Sequence, residues 1–430
     1  MITDRALRET FRMNNKAVAL YGDPIRWITV SAAAMILSAL AVTYVSVVNN
    51  TAKIRHFQDF GTFVESAKRV LAGGSSYQVS RVDDPNLIMH GGNLNPPHFS
   101  LLVIPLTLLP ISVAFYAWLS LSGCCLVLSL WLVSRSLRLR VSSVIALSAA
   151  AFAAAPMVAT LMTGQVALLL LLPYTLAWKA DREGRPLRAA VWIGLCASFK
   201  PFFILFAVYF VLLRRYRAAL AAITVTLAVF TVGVAIFGWA EHFAWMRELA
   251  LVDWEEHYFN ASILGWVNRM VVASERQPWP LVNAPWLVLP LWISVSGAVG
   301  LALVRVRGIP STDRQHLFVM TSALLLSPLA WLYYLWFLLA PLAGTLVSGE
   351  VRRPRWRVCL LGAAIVGIFV PPSLPWASAA WGHGLWTLTV GSIYFWSLVA
   401  LWVALLGERN CKGESAVATG LKQTIFAFRQ

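Results

Sequence analysis

Asp59 opens a stretch, QDFGTFVESAKRVLAGG, in which Phe60, Phe63, Val64, Ala67, Val70 and Leu71 recur at helical spacing while Glu65, Lys68 and Arg69 fall on another face. Gly73 and Gly74 end that helix. A carboxylate at such a place has two readings. It can cap the first turn, or, if burial raises its pKa, it can take a proton from a substrate as a general base. Lys200, between the apolar runs ending at Phe199 and starting at Pro201, either snorkels to lipid headgroups or meets an anionic partner such as a phosphate. Arg269 is a second candidate for that phosphate, since guanidinium pairs well with phosphate oxygens.

Neutral groups extend the set. Gln165 follows Gly164 at the start of an apolar run, and an amide that both donates and accepts suits a sugar hydroxyl as well as helix packing. His98 follows Pro96 and Pro97, as a helix-start residue or as a substrate ligand. His257 lies in the polar run DWEEHYFN, and Asn260 follows it within Asn-Ala-Ser, which also reads as a glycosylation sequon. Trp331, Tyr333 and Tyr334 after Ser327-Pro328 either stack on a sugar or belong to an aromatic belt at a membrane interface. No metal-ligand spacing is evident. The five cysteines sit in apolar runs or near the end of the chain, so neither a disulfide framework nor a metal site is expected.

The background explains why these groups stand out. The chain is 59% hydrophobic and 13% charged, with a mean hydropathy of +0.69. Apolar runs of membrane-crossing length recur throughout, and they do not alternate as barrel strands would. The pattern predicts an all-α polytopic membrane protein forming one membrane-integral domain over residues 1–430. No cleavable signal peptide is expected, since the first run is too long for one. The net charge of +16 reads as topology rather than nucleic-acid binding, because all but nine of the 35 Lys and Arg residues cluster in short segments such as RSLRLR, KADREGRPLR, RRYR and VRRPRWR. Placing those segments inside the cell predicts about twelve transmembrane helices, near 25–48, 111–134, 141–160, 163–178, 187–199, 200–213, 216–238, 281–304, 315–327, 329–347, 358–373 and 384–407. Residues 1–24 and 408–430 then lie in the cytoplasm. The first outer loop, 49–96, carries the amphipathic helix, lying along the bilayer; the second long outer loop is 239–280. Pro97 to Pro110 reads as a half-helix dipping in from the outer face.

In this order, Asp59 to Tyr77, Asn95-Pro96-Pro97, Gly164-Gln165, Lys200-Pro201, Asn260-Ala261-Ser262 with Arg269, and Ser327-Pro328 with Trp331 resemble glycosyltransferase family 87, membrane proteins similar to polyprenyl-phosphate-mannose-dependent mannosyltransferases. The resemblance implies a GT-C type fold in a bacterial inner membrane with its site on the extracytoplasmic side. It implies a hexosyltransferase that uses a polyprenyl-phosphate sugar as co-substrate, needs no other cofactor, and transfers to a glycolipid or glycan acceptor, with membrane lipids but no nucleic acid as partners. Asp59 is then the catalytic base, and Lys200 and Arg269 the donor-phosphate ligands. Two departures stand out: Ala261 replaces an expected Gln, and Tyr333 and Tyr334 follow Trp331 where a His is expected, so His98 or His257 is left as a substitute. The competing classes are a transporter or flippase for a lipid or lipid-linked sugar, and a scaffold subunit. A transporter commonly places an ionisable residue at the membrane midplane, and none falls there in the predicted topology.

Overall fold

The computed structural model describes residues 44–46, 48–49, 58–77, 92–274, 277–349, 354–381 and 384–406. The expected cytoplasmic N-terminus, most of the first crossing, the middle of the first outer loop and the C-terminal tail lie outside them. Among the described residues the chain is helical, with no named strand. After the helical residues at 44–46 and 48–49, the first helix with described bounds is α1, Gln58–Leu71. Then come α2 (Pro97–Leu108), α3 (Ile111–Ser136), α4 (Val141–Ala153), α5 (Ala155–Thr163), α6 (Ala167–Arg182), α7 (Pro186–Phe199) and α8 (Pro201–Leu212). The series continues with α9 (Tyr216–Ala250), α10 (Ile263–Val271), α11 (Pro285–Gly308), α12 (Thr312–Leu326), α13 (Leu332–Ser348), α14 (Arg355–Phe369) and α15 (Gly384–Leu405).

These helices fall close to the apolar runs, but few are long straight crossings. Among the described residues α3, α9, α11 and α15 are long and apolar enough to span a bilayer, and α4 with α5 forms a fifth candidate bent by 54°. The remaining apolar helices are shorter. Proline explains many of the breaks: it stands in the first turn of α2, α5, α7, α8 and α11, where its missing N–H is no loss. Pro97–Leu108 is a short apolar helix.

The apolar face of α1 packs into protein rather than onto lipid. Phe60, Phe63, Val64 and Ala67 are all buried, Phe60 against Phe115 at 5.4 Å between ring centroids and Phe63 edge-on to Phe99 at 4.9 Å. The expectation that this helix lies along the bilayer is therefore corrected: α3 and the short helix α2 cover its greasy face, and of the stripe's large side chains only Leu71 at the far end stays exposed.

Chain direction sorts the polar groups between two ends. α6 runs from Gln165 to the arginine-rich 179–188 segment, α7 returns to Lys200, and α8 descends again to the basic 214–217 turn. At the arginine-rich end Asp181 accepts from Tyr209 Oη at 2.5 Å and Arg215 Nη1 at 2.6 Å, and pairs with His316 Nε2 at 3.0 Å, tying α6, α8 and α12 together. Breaking such a buried cluster strands its partners. Asp181→Ala is expected to cost about 3–5 kcal/mol, read as a large drop in melting temperature; an unchanged melting temperature would show the cluster to be dispensable.

Candidate functional site

The other end is built around Asp59. It is the second residue of α1, half-buried, and its Oδ2 accepts a 2.5 Å hydrogen bond from Gln165 Nε2. Gln165 is there because α5 ends at Gly164, which closes the helix in the left-handed conformation (φ +68°) and turns the chain toward α1. Trp118 Nε1 fixes that corner by donating to the Gly164 carbonyl at 2.7 Å. A side chain at 164 would come within 2.6 Å of Phe60 Cβ. Gly164→Ala therefore combines backbone strain of about 1–2 kcal/mol with overpacking of about 1–3 kcal/mol, and it displaces the neighbours of both Asp59 and Gln165. Transfer activity and melting temperature should fall together; an Ala variant with wild-type values of both would show that the corner has slack.

Burial lifts the Asp59 carboxyl to about 6, against the Gln165 hydrogen bond and the Lys200 charge, which both pull it down. The carboxylate thus forms near neutral pH, where a base is useful. With its amide nitrogen on Asp59, Gln165 turns Oε1 the other way, and that buried oxygen has no hydrogen-bond partner among the described residues. It can accept a hydrogen bond from a hydroxyl beside the carboxylate.

Lys200 stands at the corner between α7 and α8, at the same end. Its Nζ donates to Asn95 Oδ1 at 2.8 Å and lies 5.4 Å from the centroid of the Tyr334 ring. Asn95 is itself aimed: its backbone N–H and its amide both donate to Asn93 Oδ1, at 3.0 and 3.1 Å, and its carbonyl accepts from Tyr77 Oη at 2.7 Å. Because the side-chain nitrogen is engaged by Asn93, the oxygen faces the ammonium. In the sequence Asn95 stands out only as the start of Asn-Pro-Pro. Its one local signal is an Asn two residues after another Asn, ahead of prolines that fix the backbone.

His98 is buried beside this corner rather than in it. Its Nε2 donates to the Ser198 carbonyl at 2.9 Å, holding the end of α7 just before Lys200. Tyr334 begins an aromatic row that leads away from Lys200. Tyr333 lies 4.9 Å from Tyr334, Trp331 6.3 Å from Tyr333, and Trp254 5.2 Å from Trp331, all between ring centroids. His257 sits edge-on to Trp331 at 5.4 Å. Trp254, Trp331 and His257 stay half-buried, while Tyr333 and Tyr334 are buried.

Asn260 and Arg269 lie in the segment between α9 and α11. The Asn260 amide donates to the Glu255 and Pro328 carbonyls at 2.9 and 3.0 Å, and its oxygen accepts from Ala330 N–H at 2.8 Å. Ser262 caps α10 by accepting from Gly265 N–H and donates to the Pro328 carbonyl, both at 2.9 Å. Asn-Ala-Ser and Ser-Pro-Leu-Ala-Trp are thus two halves of one junction, and the fully buried Asn260 has no amide hydrogen left for a glycan in the folded chain. Arg269, also fully buried, donates from Nε to Ser392 Oγ at 2.8 Å and from Nη1 to the His257 and Asn260 carbonyls at 2.9 and 3.1 Å; Nη2 has no partner among the described residues.

The architecture defines a class: an α-helical integral membrane protein with a carboxylate, a lysine and an aromatic row gathered at the end of the bundle away from its arginine-rich loops. Residues 93–330 match glycosyltransferase family 87, and the chain belongs to that family. It is a membrane glycosyltransferase. Asp59 lies before the matched segment, while Lys200 and the second-loop residues lie within it. The chain matches no curated protein and no solved structure.

Proposed function

We propose that this enzyme has a GT-C type fold and moves a hexose, mannose being the first choice, from a polyprenyl-phosphate donor to a glycolipid or glycan acceptor on the extracytoplasmic face of a bacterial inner membrane. The observation that carries the reading is the placement at one bundle end of a carboxylate, Asp59, held by Gln165, and a buried ammonium, Lys200, held by Asn95.

In this mechanism the acceptor hydroxyl gives its proton to Asp59 and its oxygen attacks the anomeric carbon. The bond from that carbon to the phosphate oxygen breaks, and the electron pair leaves with the polyprenyl phosphate. Lys200 meets the charge that develops there. Gln165 holds the base on one side and receives the acceptor hydroxyl or a neighbouring one on Oε1. One base and one displacement give inversion. The aromatic row from Tyr334 to Trp331 provides rings for sugars to stack on, with His257 at its edge. His98 serves at one remove by holding the helix end before Lys200. Arg269 and Asn260 shape the loop that carries Trp254 and His257, and Nη2 of Arg269, with no partner among the described residues, is the atom left for a donor phosphate.

The test is product analysis. Purified protein in lipid is offered a panel of polyprenyl-phosphate sugars and glycolipid acceptors, with mass detection of the product. A glycosylated product from a polyprenyl-phosphate sugar supports the reading. Transfer from nucleotide sugars alone, or movement of a labelled lipid across vesicles without a new glycosidic bond, would end it.

A further inference from the structure

The helix α9 is 35 residues long, and about 20 residues suffice to cross a bilayer. Tyr216 to Phe237 already supplies that length. Gly238 then breaks the helical path, with φ +77° and ψ +168°, at a point where a side chain would meet nothing within 4 Å. Glycine is therefore placed there for its backbone freedom, to redirect the chain at the end of the span.

The twelve residues that follow, from Trp239 to Ala250, are two-faced. Trp239, Phe243, Met246 and Ala250 fall within about 60° of one another around the helix axis. Trp239 and Phe243 are each 59% exposed and Met246 47%. The opposite face holds the first outer loop. Glu241 Oε2 accepts from Ser76 N–H and Trp245 Nε1 donates to the Leu94 carbonyl, both at 3.2 Å, and Glu248 lies against Gly92. The exposed stripe also continues a lipid-facing surface: Leu220, Leu227, Val232 and Ile236 on the span below are each more than half exposed.

We propose that the segment after Gly238 is a membrane-surface helix whose partner is the bilayer, with Trp239, Phe243 and Met246 seated at the boundary between headgroups and acyl chains. An indole, a phenyl ring and a flexible thioether fit that zone, and the polar face turned away from it is occupied by protein. This is the surface role that the sequence suggested for α1 and that α1, with its apolar face buried, does not fill. The contact has a consequence for the site. The same helix grips Leu94, the middle residue of the Asn93–Asn95 turn that holds Lys200, so its seating on lipid fixes the height of that turn relative to the membrane.

Depth measurement tests this without reference to catalysis. Cys124, Cys359 and Cys411 are replaced by serine, and the buried Cys125 and Cys196 are kept. Single cysteines at 239, 243 and 246 are spin-labelled, with Leu227→Cys as the lipid reference and Asp253→Cys as the aqueous one. The proteins are placed in vesicles of phosphatidylcholine and phosphatidylglycerol. Relaxation by oxygen relative to a water-soluble nickel chelate should be several-fold higher at the three stripe positions than at 253, and lower than at 227. Each labelled protein is first shown to melt like the parent; where one position does not tolerate the label, the other two carry the test. A stripe as open to nickel as position 253 faces water and overturns the proposal. A stripe shielded from both reagents is covered by protein, a second copy or another partner, and overturns it equally.

Discussion

Replacing Asp59 with Asn is expected to lower transfer by about 10²–10⁴-fold, the usual contribution of a positioned general base, while making the protein more resistant to heat at neutral pH. The two effects have one cause. The carboxyl is lifted to about 6 chiefly by burial, so the folded state prefers the neutral form. A folded pKa above the unfolded one means that this preference is fully present below about pH 4 and is lost as pH rises through about 6. Above that point the wild-type protein holds an ionised, desolvated carboxylate, which is what catalysis needs and what stability disfavours. Asn keeps the shape and can still accept from Gln165 Nε2, but it carries no charge. The gain in melting temperature should therefore be seen at pH 7 to 8 and vanish near pH 4. The wild-type rate should fall as pH drops through about 6. A variant that is inactive and less stable at neutral pH would mark Asp59 as a structural residue, and near-normal turnover would remove it as the base.

This opposition between activity and stability was only partly legible beforehand. Helical spacing showed that Phe60, Phe63, Val64 and Ala67 share one face and that Asp59 stands at its start. Periodicity cannot say what covers a face: α3 and the short helix α2, distant in sequence, bury this one, and that burial is what raises the carboxyl. The same limit applies to the lysine. Its place at a corner between two apolar runs was readable from the charges around it. Its partner Asn95 lies 105 residues away, and nothing local announces the pair. Asn-Ala-Ser shows the reverse case, in which a local motif had several meanings. Only the junction with Pro328 and Ala330 shows that the Asn260 side chain is consumed by the fold. The straightness of the crossings was the least legible feature, because prolines mark where a helix can break without fixing the angle between its pieces.

Lys200→Met should cost a further large factor, about 10²–10³-fold in turnover if the ammonium meets charge on the leaving phosphate, with weaker donor binding as well. Met has a similar length and keeps contact with Tyr334, so packing survives the change. Stability is set by two opposing effects. Removing a buried charge relieves desolvation, while Asn95 Oδ1 loses its donor, a loss of about 1–3 kcal/mol for a buried acceptor. The melting temperature is therefore expected to move little, and it is a poor reporter on this residue. The pH profile is a good one. Lys200 pulls the Asp59 carboxyl down, so without it the carboxyl rises above its wild-type value and the acid limb of the rate profile shifts to higher pH. A purely structural lysine would leave that limb in place. Asn95→Asp separates the two roles further. It keeps an acceptor for Lys200 and makes it a permanent anion, at the cost of the hydrogen bond from the Asn95 amide to Asn93 Oδ1, so donor binding should weaken in a protein shown by its melting curve to remain folded. Unchanged donor affinity in both variants, together with an unmoved acid limb in Lys200→Met, would place the leaving phosphate elsewhere and return Lys200 to the corner between α7 and α8 as a packing residue.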